Sequence, residues 1–190
     1  SPSFAISSSH FEANYSDMSG GAVSVALESG TFSLEGSSFF ANSSEHAGGA
    51  LDFGSAGPAP SPIPVELVVN NCEFDDNSTF GVGGAISASG WHDAQLQIAQ
   101  SEFSGNTALE SGGAIYLGGQ YQQGTGTFSG TVFEGNTAES CGAVAFKATD
   151  AFDYLCESCV LRENGTDAVC LDTDQHVLES VDTDWGEGAV

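Results

Sequence analysis

Five acids near the end of the chain, Asp172, Asp174, Asp182, Asp184 and Glu187, carry the hard oxygen ligands that a calcium ion takes. They stand in "LDTDQ" and "VDTDWGEG", and neither stretch follows the ligand order of an EF-hand loop or of the glycine-rich nonapeptide calcium repeat. Calcium is therefore the one cofactor these residues suggest, and a solvated acidic face is the reading they favour. Cys156-x-x-Cys159 has the spacing of a zinc or redox pair, but no second ligand pair with metal spacing accompanies it. His10, His46, His92 and His176 share no common phase and read as surface or corner residues. No Gly-x-Ser-x-Gly elbow and no His-Glu-x-x-His is present.

Charge narrows the chemistry further. Two basic residues, Lys147 and Arg162, stand against 26 acidic ones, for a formal charge of -24. Such a field repels phosphate backbones and anionic membrane surfaces, so no nucleic-acid partner is expected. Cleavage of polyuronides needs basic groups to neutralise the substrate carboxylate and take a proton, and Lys147 and Arg162 fall in different repeats. A glycosidase needs two facing carboxylates at a set distance, which so many acids could supply by chance. The chain reads as non-enzymatic, with a carbohydrate-active protein as the alternative. No run of about 18 apolar residues exists, so no direct membrane insertion is expected. The chain opens in mid-pattern at Ser1, as a mature product or an excised piece would.

The elements that would position any such group come from a repeat. Phe11, Phe39, Phe74, Phe103 and Phe133 each precede an asparagine by three residues: Asn14, Asn42, Asn77, Asn106 and Asn136. Leu161 and Asn164 form a sixth, degenerate copy. Gly-Gly-Ala follows the first four asparagines at Gly20, Gly48, Gly83 and Gly112, and Cys141-Gly142-Ala143 follows the fifth. The anchors recur every 28 to 35 residues, a period that implies a repeat architecture. Apolar pairs spaced by two precede each anchor (Phe4 and Ile6, Phe32 and Leu34, Leu67 and Val69) and others follow the glycines (Leu51 and Phe53, Ile86 and Ala88). That alternation signals strands with one buried face, about three short ones per repeat.

Identical residue types at identical phase are what a coil of parallel strands demands, because each side chain stacks on its equivalent one rung away. The fold expected is all-β: a right-handed, single-stranded parallel β-helix of about six rungs over residues 1–170, with 171–190 as a C-terminal cap or partial rung. At about 4.8 Å per rung the rod would be roughly 29 Å long. The phenylalanines fill its interior, and the asparagines turn a corner where their amides bond one another in a ladder. Asn14, Asn42, Asn77 and Asn164 also begin Asn-x-Ser/Thr sequons, so the ladder competes with glycosylation for the same side chains.

The combination of Phe-x-x-Asn with Gly-Gly-Ala-Ile, intact at 83–86 and 112–115, resembles the repeat of the chlamydial polymorphic outer membrane proteins. The resemblance covers about residues 4 to 146, and 147 to 170 more weakly. It implies a β-helical surface or passenger segment associated with adhesion, located extracellularly or at the cell surface. Its partners would be a protein or glycan at that surface, flanking rungs, or subunits of a larger assembly. The family's membrane-inserting β-barrel is not expected within these residues.

In repeat coordinates Cys141 and Cys170 occupy nearly equivalent sites on adjacent rungs, within disulfide reach. The expected pairs are Cys141–Cys170 and Cys156–Cys159, with Cys72 a buried free thiol. All five also suit small core positions. Two insertions, "GSAGPAPSPIP" at 54–64 and "GGQYQQGTG" at 118–126, are candidate recognition loops.

Overall fold

The computed structural model describes residues 3–55, 65–89, 94–119, 124–148, 152–165, 167–171, 177–181 and Asp184. Every strand pairing among them is parallel, and the strands stack into four sheets of seven, six, four and six members. The chain is a parallel β-solenoid of about five full turns with partial coils at its ends, close to the six rungs expected.

The apolar pairs upstream of each anchor build the first sheet, from Ser3–Ser7 through Gly30–Glu35, Val65–Asn70, Ala94–Ala99, Gly124–Ser129 and Phe152–Glu157 to Val177–Val181. Its register joins repeat equivalents: Phe32 faces Leu67, which faces Leu96. Phe32, Leu34, Leu67 and Val69 point inward and are buried, while their neighbours Thr31, Ser33, Glu66 and Val68 are partly exposed. The anchors form the second sheet, His10–Glu12, Ser38–Phe40, Glu73–Asp75, Glu102–Ser104, Val132–Glu134 and Val160–Arg162. Strands after the glycines form the fourth, from Val23–Leu27 through Ile86–Ser89 to Val169–Leu171.

Between anchors and glycines lies a sheet that alternation over a longer window could not reveal. Its members are two residues each: Tyr15–Ser16, Ser43–Ser44, Ser78–Thr79 and Thr107–Ala108. Bridges from Ser19 through Ala47, Val82 and Ser111 to Ser140 continue the coil toward the glycines. Each full repeat thus contributes four strands, not three, because a segment this short carries too few residues for a period-2 pattern.

Three corners per coil separate these strands, and each uses a residue at positive φ. One precedes the asparagine, where Ala41 (52°), Asp76 (53°) and Gly105 (62°) are equivalents. Another precedes the small residue two before the anchor, and includes Asn71 (52°) and Gln100 (48°). The third is the first glycine of the pair, as at Gly48 (61°), where Cys141 takes the same conformation at 62° in the fifth repeat. At the second glycine crowding decides: a Cβ on Gly49 would fall against the backbone oxygen of Gly84.

The core is a continuous column. Phe39, Phe74, Phe103 and Phe133 are fully buried, and successive rings from Phe11 to Phe103 stack with centroids 4.7–4.8 Å apart and planes within 5°. Phe103 and Phe133 follow at 5.1 Å. The longest repeat leaves the column undisturbed, because the strands on either side of its additional residues, Leu51–Ser55 and Val65–Asn70, keep their register with neighbouring coils. At the other end, Val177–Val181 pairs with Phe152–Glu157, and Asp184 bridges to Val160, so these residues begin a further rung.

Candidate binding groove

The asparagines form the ladder that the sequence suggested. The backbone N–H and the side-chain amide of Asn42 both donate to Oδ1 of Asn77, each at 3.0 Å, and Asn77 does the same to Asn106. Asn106 donates to Asn136, and Asn136 to Asn164. The second amide hydrogen goes to the preceding anchor's carbonyl, as from Asn77 to Phe39 at 2.9 Å. Both hydrogens of the Asn42 and Asn77 amides are therefore engaged, and both side chains are fully buried. Asn14 is exposed and Asn164 half-buried at the two ends of the ladder.

A second ladder runs through the small residues two before each anchor. The N–H of Cys72 donates to Ser101 Oγ at 3.1 Å, and that hydroxyl donates to the Ala99 carbonyl at 2.8 Å. Cys72 is a buried free thiol, and burial pushes its pKa up. Cys141 is bonded to Cys170 and Cys156 to Cys159, with Cα atoms 5.4 and 5.9 Å apart. The two ladders and the Cys141–Cys170 bond hold rungs together, and Cys72 borders a polar surface pocket of about 440 Å³ with Ser37, Glu73 and Glu102.

The sequence-derived candidates for chemistry are dispersed. Lys147 lies in the post-glycine sheet, whereas Arg162 lies in the anchor sheet and pairs with Glu134 at 2.8 Å. His10 contacts Ser38 and Glu12 on the outer surface. Asp172, Asp174, Asp182, Glu187, His92 and His176 lie outside the described residues, as do positions 56–64 and 120–123 of the two loops. Asp184 is exposed. Among the described residues no group of three or more acids, histidines or cysteines is placed to hold a metal ion.

The surface gathers elsewhere, on the two-residue strands. Ser44, Thr79 and Ala108 turn inward there, so the residues on either side of each turn outward. Ser43, Ser78, Thr107 and Thr137 stack as a column of small hydroxyls, with Thr107 and Thr137 hydroxyls 3.2 Å apart. On the other side Phe80 and Leu109 occupy the same place in consecutive rungs and are 63% and 58% exposed. Tyr15, 62% exposed, stands at one end of the groove and Glu139 at the other, and the space between measures about 640 Å³. Tyr15 donates its hydroxyl to Glu45 at 2.7 Å, which raises the tyrosine's pKa.

Sequence reading had missed Phe80 and Leu109. The signal was present in repeat alignment, where the same column holds Asp17, Glu45, Phe80, Leu109 and Glu139. Two large apolar residues among acids at a solvent-facing position depart from what the repeat needs for folding, and such exposed clusters mark binding surfaces.

Residues 100–118 match the Chlamydia polymorphic membrane protein repeat, a segment that contains Phe103, Asn106 and the Gly112-Gly113-Ala114-Ile115 motif. No curated protein and no solved structure matches the chain.

Proposed function

We propose that the chain is a non-enzymatic scaffold segment of a secreted or surface-exposed protein, and that it acts by binding a partner along its groove. The observation that carries this reading is the juxtaposition of exposed Phe80 and Leu109 on a sheet held rigid by stacked phenylalanines and asparagines. Rigid display of side chains is what a solenoid supplies at low entropic cost. Two disulfides fit an oxidising compartment, and the membrane-protein repeat at 100–118 supports placement at a surface. The charge of -24 favours a protein partner over nucleic acid.

An antibody raised against the purified chain tests the location, since it should label intact source cells or their medium without permeabilisation. Labelling seen only after permeabilisation would overturn the assignment. Incubation with neutral and acidic polysaccharides should release no reducing or unsaturated ends; turnover would replace the scaffold with the carbohydrate-active alternative.

A further inference from the structure

The groove's dimensions and charge say more about its occupant. It passes from Tyr15 in the first coil to Glu139 in the fifth. Four rung steps of about 4.8 Å give roughly 19 Å, the length of about 13 residues of α-helix at 1.5 Å each. A helix laid along the solenoid axis presents one apolar side chain per turn of about 5.4 Å, near enough to the rung spacing to stay in step over three turns. Phe80 and Leu109, on consecutive rungs, would then meet apolar residues at i and i+3 or i+4.

The rim selects the helix's other face. Glu139 lines the groove, exposed Glu45 accepts from Tyr15 at its other end and exposed Glu110 follows Leu109 in sequence, while Arg162 is engaged on the anchor sheet and Lys147 lies on the post-glycine sheet. A second copy of the chain would bring its own charge of -24 against this rim. An anionic glycan meets the same repulsion, and a neutral one can hydrogen-bond the carboxylates but leaves their charge uncompensated. We infer that the groove docks a basic amphipathic helix of a partner protein, with its apolar stripe on Phe80 and Leu109 and its Lys or Arg residues on Glu45 and Glu110. This inference rests on the reading of the chain as a binding scaffold.

Fluorescence anisotropy with the whole chain tests it, using three labelled 14-residue peptides: an amphipathic Leu/Lys helix, a scramble of the same composition, and an amphipathic Leu/Glu helix. The first should bind. Binding should weaken by at least about tenfold in the F80S/L109S double variant and in E45Q/E110Q, and stay unchanged in E73Q/E102Q, which removes equal charge from the anchor sheet. All three double variants are checked for the folded state by circular dichroism, and the four glutamines retain the side-chain volume of the acids they replace. Equal binding of the scramble, equal loss in E73Q/E102Q, or no binding of the Leu/Lys helix would each overturn the inference. Neutral oligosaccharides bound by the chain and lost in F80S/L109S would assign the groove to sugar instead. Surface labelling of intact cells is measured independently, so a negative peptide result removes the helix and leaves the surface scaffold standing.

Discussion

The side-chain amide of Asn77 donates to the side-chain oxygen of Asn106 at 3.0 Å, and the backbone N–H of Asn77 donates to the same atom at the same distance. One oxygen thus satisfies two buried donors from the neighbouring coil, and the two residues are 29 positions apart in sequence. This relationship repeats with separations of 28, 35, 30 and 28 along the ladder. Spacing in sequence varies while spacing in space does not, so the ladder fixes the register and the loops absorb the difference.

Asn106→Ala should therefore be severe. It leaves both Asn77 donors without their acceptor in a buried column and removes one of the donors to the Phe74 carbonyl. At about 1–3 kcal/mol for each of the two unsatisfied donors, the loss is about 2–6 kcal/mol. Asn14→Ala, at the exposed end, should cost less than about 1 kcal/mol. Urea unfolding midpoints for the two variants measure the difference, and equal losses would show that the ladder is not what holds the coils.

Ala41 and Gly49 make a pair of opposite expectations. Ala41 sits at φ 52° with a Cβ that disfavours the left-handed region, where its equivalents Gly105 and Gly135 have none. Ala41→Gly should stabilise by about 0.5–1 kcal/mol. Gly49→Ala would drive a Cβ into the Gly84 carbonyl and the Ser78 backbone, all of them fixed by interchain-like rung pairing. It should prevent the neighbouring coils from closing, with loss of the cooperative thermal transition.

How much of this was legible follows from what repeats. The anchors, asparagines and glycines recur because every rung needs them, so phase alone exposed the stack, the ladder and the columns in which Cys141 meets Cys170. The corners before the asparagines were harder to read, because Ala41, Asp76 and Glu163 adopt a glycine-like conformation under the constraint of adjacent rungs. The two-residue strands gave no periodic signal, being shorter than one period of any test. Phe80 and Leu109 escaped for the opposite reason: they are exceptions to their column, and attention to what recurs passes over what does not.

The two disulfides should differ in worth. Cys141–Cys170 closes a sequence separation of 29, for which loop-closure entropy predicts about 3–4 kcal/mol, while Cys156–Cys159 closes one of 3, worth about 2. The larger effect falls on the last coils, since the long bond ties the fifth repeat to Val169–Leu171. Cys170→Ser should increase amide hydrogen exchange from about residue 152 onward and leave Phe39 to Phe103 protected. A uniform increase along the chain would mean that the solenoid unfolds as one unit and that the staple acts globally.

Acid should strengthen the fold in a manner that one residue can be made to report. Asp52 lies on the outer side of the post-glycine sheet, in a partly buried position. Burial pushes its carboxyl above the ordinary carboxylate range, by more than the hydrogen bond with Ser87 lowers it. The folded chain therefore holds this proton more tightly than the unfolded chain does. Its contribution is fully present below the unfolded pKa of about 4 and is lost as pH rises through the higher folded value. Asp52→Asn keeps the shape and removes the titration, so the variant should be more stable than the parent at pH 7 and approach it near pH 4. Relief of the general repulsion among 26 acids shifts both proteins alike, and the difference between their urea midpoints isolates Asp52. A difference independent of pH would show that folding leaves the Asp52 titration unshifted, and a variant that gains on the parent in acid would show that the carboxylate is held charged by a favourable contact.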